Sequence, residues 1–579
     1  MPSDTAPGPL ADLLIHNASI YTVDASDSVA QAVAIANGRI LAVGTLEHAE
    51  RHCGPHTRRI DLQGRAVVPG FVDAHPHLDT VGLRLTKPSF GRPRRIGEVL
   101  DVIRAEVARR KPGEWIVCNP LAHEPDVFGY PAALAEGRWP SRHDLDTVSP
   151  DNPVYIEPPS LVAPGMAFAN SAAIRLCGIT GQSAVAPGVT IEVDAQGEPT
   201  GVFRDINFPK WLPVRDGAFR ARESLFPAMP ELSEAETLAA VAAGVRAFNQ
   251  AGITTIYEGH GIPTGPQRAY MDLWARKQLT VRTYFVVSYP IPLYRNRDEG
   301  QRLIEQTARY AGGNGFGDDL LKFGGLGFSF DSAAAMGACL MRQPYVGAAG
   351  TPWHGVQLAD DETFRDIVRR CAEAGLRVQV QCSGGAAIDK VLRTYEEVDR
   401  DIPIEGKRWT IQHCQFPTAE NMAACRRLGV LPTTTTNFLW MYGSVYRKAF
   451  GEELAEQAIP FKSWLEAGVP VAQSTDGNPF EPMFAFWQLL ARQDAVSGQP
   501  LGDPAQRLTR AQALRAYTLN GARTAFWDEV TGSLEPGKYA DLVVLSQDIM
   551  QVPLDDIPKT KVLATLLGAR PVHDSGLFD

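Results

Sequence analysis

A unit repeated along the middle of this chain most constrains its fold: an amphipathic helix, a glycine, then a short β-branched strand. Leu238–Gln250 reads as a helix, Ala251-Gly252 ends it, and Ile253–Tyr257 follows as a strand. The same order recurs at Thr363–Ala374, Gly375 and Arg377–Gln381, at Asn421–Leu428, Gly429 and Val430–Thr434, and at Phe461–Ala467, Gly468 and Val469–Gln473. A glycine that closes a helix in the left-handed conformation and is followed by a buried strand is the signature of a parallel βα sheet. Four further strands are expected at Phe71–Ala74, Val281–Val287, Leu320–Phe323 and Trp409–Gln412. These complete the eight of a (β/α)8 barrel.

The ends of the chain read differently. Leu13–Ile20, Ala32–Ile35 and Arg39–Val43, with an Asn37-Gly38 hairpin signal, are short strands, as are Gly532–Leu534, Ala540–Leu545 and Val562–Leu567. One small sheet domain built from residues 1–68 and 526–579 is expected beside a barrel domain of 69–525. The stretch from about 84 to 235 is too long for one βα connection and reads as an inserted subdomain beside the barrel mouth. Composition narrows the function classes. Hydrophobic residues are 44% and charged residues 21%, which excludes disorder, and 56 Lys+Arg against 66 Asp+Glu argues against nucleic-acid and anionic-membrane binding. No apolar run reaches the ~18 residues of a bilayer span. The N-terminus lacks the features of a signal peptide, and eight scattered cysteines form no CxxC pair, so a cytoplasmic protein with reduced thiols is expected. No dinucleotide or P-loop glycine motif is present.

Chemistry-bearing residues gather at expected strand ends. In PGFVDAHPH (69–77), His75 and His77 sit two apart, a spacing that on a strand points both imidazoles one way. Lys322 lies in LLKFGG, His413 ends WTIQH, and Asp476 follows VPVAQST. Singly, each reads as an ordinary core or surface residue. Jointly, four strand ends carrying His-His, Lys, His and Asp favour a metal site at the carboxyl end of a barrel. A divalent ion acidifies its bound water. Asp476 would then take the water's proton and hand it to a leaving amine, chemistry suited to an amide or similar C–N bond.

PGFVDAHPH, STDGNP, and GSLEPGKYADLVVL with the preceding LRAYTLNGARTA resemble the metal-dependent amidohydrolase superfamily over nearly the whole chain. FANSAAIRLCGIT, EPTGVFRD, LKFGGLGFS and RWTIQHCQF are similar to its amidohydrolase-3 branch, which includes N-substituted formamide deformylases. The resemblance implies a TIM barrel with a composite β-sandwich from both termini, and hydrolysis at carbon–nitrogen bonds of a small amide-like molecule. It implies Zn2+ or another divalent transition metal, one or two per chain. His75, His77, His413 and Asp476 match metal ligands, Asp476 also the general base, and Lys322 a lysine carboxylated to bridge two ions. A homodimer is a family-level expectation.

Two departures stand out. Gln381 occupies the position of the usual strand-five histidine, and Gly385 that of the aspartate after it, which weakens a second metal site. A mononuclear centre on His75, His77 and Asp476, with or without Lys322, is one reading. In two others Cys382 swings in, although it should face away from Gln381, or His260 in the Tyr257-Glu258-Gly259-His260 run compensates from strand two. At Gly165 the branch often carries a histidine five positions before Asn170-Ser171, so an altered substrate pocket is expected. Glu258 and His260 share a strand-end face and are pocket candidates, as are Gln381, Cys382 and Trp440, the last within the aromatic run Phe438–Tyr442. Two alternatives stay open: the same site used for decarboxylation or C–O hydrolysis, and a binding protein derived from such an enzyme.

Overall fold

A computed structural model describes residues 10–207, 221–346 and 351–578. All eight expected barrel strands are present: β1 (Phe71–Asp73), β2 (Ile253–Ile262), β3 (Arg282–Ser288), β4 (Leu321–Ser329), β5 (Val378–Cys382), β6 (Thr410–His413), β7 (Leu431–Thr434) and β8 (Ala472–Gln473). They lie side by side in that order, each parallel to the last. β8 returns to β1 through the Ala74 N–H, which donates to the Gln473 carbonyl at 3.3 Å. Next to it the Asp73 carboxylate accepts from the Thr475 N–H at 3.2 Å and the Thr475 hydroxyl at 2.5 Å. The chain is therefore a (β/α)8 barrel.

The helix–glycine–strand units form for the reasons the sequence gives. Helix Glu234–Ala251 starts at Ser233, whose side chain and that of Glu236 satisfy each other's backbone N–H groups. It ends at Gly252, with φ +93°, a conformation cheap only for glycine. Two strands run well past expectation, β2 to Ile262 and β4 to Ser329. β4 does not stop at Phe323 but runs through Gly324-Gly325 to Ser329. Those glycines mark a close approach and not a strand end. Gly325 has φ +83°, and a Cβ there would lie 2.2 Å from the Arg377 carbonyl of the neighbouring chain segment.

Strands from both termini hydrogen-bond into one seven-stranded sheet, in the order Arg570–Asp574, Val562–Leu567, Leu542–Leu545, Cys53–Pro69, Ala11–Tyr21, Val29–Ala36, Arg39–Gly44. Gly532–Leu534, expected as a strand, is a loop. The sheet docks at the amino-terminal end of the barrel. There Arg282, the first residue of β3 and 5% exposed, forks onto Asp541 at 2.6 and 2.9 Å and donates to the Asp319 carbonyl at 2.7 Å. The bidentate geometry and the extra donors to Asp541 from Thr531 and Gly568 are what let a buried ion pair persist.

Between β1 and β2 the inserted segment builds its own five-stranded sheet, in the order Ile116–Cys118, Val154–Ile156, Met166–Ala169, Pro199–Arg204, Thr190–Val193. It has apolar cores separate from that of the barrel. The helix that leaves β1, Leu78–Thr86, crosses helix Glu234–Ala251 with almost no gap. A Cβ on Gly82 would lie 1.9 Å from the Ala240 carbonyl, and one on Gly244 2.6 Å from that of Leu78. Gly82→Ala must push these helices apart. We expect the over-packing to cost about 1–3 kcal/mol and to lower the melting temperature by several degrees; an unchanged melting temperature would show that the helices have slack.

Candidate metal centre

β1 ends at Asp73, so His75 and His77 lie beyond it and not on the strand. Their convergence comes from the turn that follows. His77 adopts φ +50°, ψ +47° and starts helix Leu78–Thr86, which folds its ring back toward His75 with centroids 4.7 Å apart. Asp73 fixes that turn by accepting the His75 N–H at 3.1 Å, and the Asp476 N–H donates to the His75 carbonyl at 2.9 Å. The two histidines and Asp476 are thus held by the same contacts that close the barrel.

The donor atoms converge tightly. His75 Nε2 and His77 Nε2 lie 3.1 Å apart, and Asp476 Oδ1 lies 3.1 Å from the first and 3.0 Å from the second. Ligands held about 2.0–2.1 Å from one zinc-sized ion at angles of 90–105° are separated by about 3 Å, so the triangle has the dimensions of a coordination face. Two more imidazoles border it. His413 lies 4.9 Å from His75 between ring centroids and groups its donor with those of His75 and Asp476. His260 lies 3.9 Å from His77 and groups with His75 and His77.

Protonation follows from the surroundings. Burial pushes the His75 imidazolium down to about 3 and lowers that of His413, so both rings are neutral near pH 7. Burial acts the same way on His77, but the hydrogen bond to Asp476 and the charges of Asp476, Glu258 and Asp79 together outweigh it and raise the pKa. Burial would raise the Asp476 carboxyl, yet the hydrogen bonds from His75 and His77 hold it well below the usual carboxylate range. A charged carboxylate beside the neutral rings of His75 and His413 suits a divalent ion, and an ion bound there would displace the proton that Asp476 favours on His77. Three donor residues also carry left-handed backbone: His77 at φ +50°, His413 at +69° and Asp476 at +55°. For non-glycine residues this costs about 1–2 kcal/mol each, a concentration of strain typical of functional sites.

The remaining expected residues divide. Gln381 reaches the site, but its Oε1 accepts from Ser329 Oγ at 2.6 Å. Glu258 and His260 are also brought in. Lys322 is not. Because β4 continues to Ser329, Lys322 sits at the start of the strand, at the opposite end of the barrel, with its ammonium 5.4 Å from the Trp527 ring. Cys382 points away from Gln381 and is buried in the core outside the barrel. Trp440 packs against Phe484 and Trp487, while Phe438, Met441 and Tyr442 of the same helix take the pocket wall. Gly165, where an altered pocket is expected, donates its N–H to Asp205, and the neighbouring Arg204 bonds Glu192.

A cavity of about 520 Å³ opens above the donors, floored by His77, Gln381, His413 and Asp476 and walled by Leu83, Leu161, Phe438 and Met441. The inserted segment supplies Lys87, His123, Glu124 and Glu157 to its roof. Glu124 has no counterpart in the sequence reading. Burial raises its carboxyl, and it faces Tyr442 and the Asn478 amide, 3.4 Å away. Asp73 was also missed, although its place two residues before His75 was the available signal.

Residues 58–573 match the amidohydrolase family. The chain belongs to that family. It is 27% identical to the N-substituted formamide deformylase of Arthrobacter pascens over 96% of this chain and 97% of that one. It is equally identical to Protein LONG AFTER FAR-RED 3 of Arabidopsis thaliana, over 98% and 92%. An uncharacterized metal-dependent hydrolase from Pyrococcus horikoshii OT3 shares the fold, with TM-score 0.72, 20% identity, and coverage of 94% of this chain and 99% of that one. This amidohydrolase is an enzyme whose barrel mouth carries His and Asp groups suited to a divalent metal. Since Lys322 lies at the far end of the barrel, Lys322→Ala should leave metal per chain unchanged; a loss of bound metal, read by mass spectrometry, would return it to the site.

Proposed function

We propose that this amidohydrolase hydrolyses a non-peptide carbon–nitrogen bond of a small molecule, an amide, an N-substituted formamide or a related group. The observation that carries the reading is the 3.0–3.1 Å triangle of His75, His77 and Asp476 at the floor of a substrate-sized cavity. A zinc or similar divalent ion on those atoms supplies Lewis acidity and an acidified water. The chain's own groups do the rest. Asp476 takes the water's proton and returns it to the departing nitrogen. With its oxygen engaged by Ser329, Gln381 offers the pocket an amide N–H, a donor for a substrate oxygen and not a ligand for metal. His413, stacked 5.9 Å from Phe438, stands between the donors and the apolar wall, where the scissile group would lie. Leu161, Phe438 and Met441 accept an apolar nitrogen substituent. The formamide activity of the Arthrobacter relative supports the substrate class. Eight free thiols agree with a reducing, cytoplasmic compartment, and no described helix is long and apolar enough to cross a membrane.

Chelation should abolish turnover of N-formylamines and simple amides, and added Zn2+ should restore it. Asp476→Asn should lower kcat by about 10³-fold or more with the circular dichroism spectrum kept. Release of amine and carboxylate in equal amounts is the expected product pattern. Carbon dioxide as product, or full activity of the metal-free protein, would overturn the reading.

A further inference from the structure

The ligand set is incomplete on strands that would be expected to supply it. β5 offers Gln381, whose oxygen is committed to Ser329 of β4. β4 offers no side chain where it passes β2, because Gly327 occupies that point. A Cβ there would meet Val286 at 2.8 Å and the backbone of Gly261 and Gly259 at 3.1 and 3.2 Å. Asp331, just beyond β4, spends its carboxylate on the N–H groups of Leu340, Ser383 and Gly384. Among the described residues, neither strand presents an imidazole or free carboxylate to the donor cluster.

β2 does. We propose that His260, held by Glu258, is a metal ligand of this chain, so that β2 supplies what β4 and β5 lack. This rests on the reading that the barrel mouth binds a metal. His260 brings one ring nitrogen within 4.8 Å of the donor nitrogens of both His75 and His77. Its Nδ1 lies 3.2 Å from Glu258 Oε2. Glu258 is fully buried and anchored by its first oxygen: Oε1 accepts from the Leu78 N–H at 2.9 Å and the Tyr270 hydroxyl at 3.0 Å. That leaves Oε2 and Nδ1 to each other; among the described residues neither has another partner. A carboxylate behind one ring nitrogen fixes the tautomer and turns the other nitrogen outward as a ligand. Leu78 directly follows His77, so Glu258 also steadies the helix start that carries the neighbouring ligand. Three imidazoles and one carboxylate select a transition ion such as Zn2+ or Co2+ over Mg2+ or Ca2+.

The test is Zn2+ and Co2+ binding by the full-length protein, with metal per chain, affinity by chelator competition and the visible spectrum of the Co2+ form as readouts. His77→Ala, which removes a ligand of the proposed centre in any case, is the reference. His260→Ala should weaken Zn2+ binding by about 100-fold or more and change the Co2+ spectrum. Glu258→Gln, with the ligand kept but its orienting charge removed, should weaken it by about 10–100-fold. If His260→Ala does not fold, Glu258→Gln decides by the same measure. Wild-type affinity and an unaltered Co2+ spectrum in the folded variants, with His77→Ala defective, would overturn the role of His260 and leave the metal reading intact. A wild-type protein that binds neither ion would overturn both.

Discussion

One buried carboxylate, that of Asp73, holds the two ends of the barrel sheet together. Neighbouring strands elsewhere are joined by backbone ladders, but β1 and β8 are short and meet through few direct bonds. Asp73 bridges them by accepting from the backbone and hydroxyl of Thr475 on one side and the backbone of His75 on the other. Burial pushes the Asp73 carboxyl up to about 7 against the pull of these three hydrogen bonds, each worth about 0.5–3 kcal/mol according to the charge on the acceptor. The same three contacts set the turn that delivers His75 and the turn that delivers Asp476. Closure of the fold and assembly of the donor triangle are therefore one structural event.

The electrostatics of the site depend on that closure. Asp476 can remain ionised while buried because two imidazoles are held within 3.1 Å of it. His75 can remain neutral because burial makes its protonation costly. Left-handed backbone at His77, His413 and Asp476 works against the fold by a few kcal/mol in total. An ion bound at the donor cluster would offset it, since only the folded chain presents that cluster.

Much of this was legible in the sequence, and the failures have physical causes. The helix–glycine–strand repeat located four of the eight barrel strands, β2, β5, β7 and β8, because glycine at a helix end and β-branched residues in a buried parallel strand are both required locally; the other four were read from short apolar runs. His75, His77, His413 and Asp476 were read as candidates because they lie at strand ends, and the fold brings them together with His413 ending β6 and the others just beyond β1 and β8. Lys322 was misplaced because Gly324-Gly325 reads as a break, while in the fold those glycines let β4 pass close to the chain before β5. Trp440 was misplaced because the aromatic run is helical, and helical spacing sends Phe438 and Tyr442 to one side and Trp440 to another. Glu124 carried no signal at all: it reaches the pocket from an insertion whose docking depends on distant packing.

That insertion has a consequence for how such an enzyme changes over time. The floor of the cavity belongs to the barrel and its core, whereas the roof belongs to a sheet with cores of its own. Substitutions in separately packed cores combine nearly additively. Drift among roof residues such as Lys87, Glu124 and Glu157 can thus reshape which molecules are admitted while the metal-binding floor stays under unrelated constraints. Relatives with matching floors can then diverge freely in what they admit.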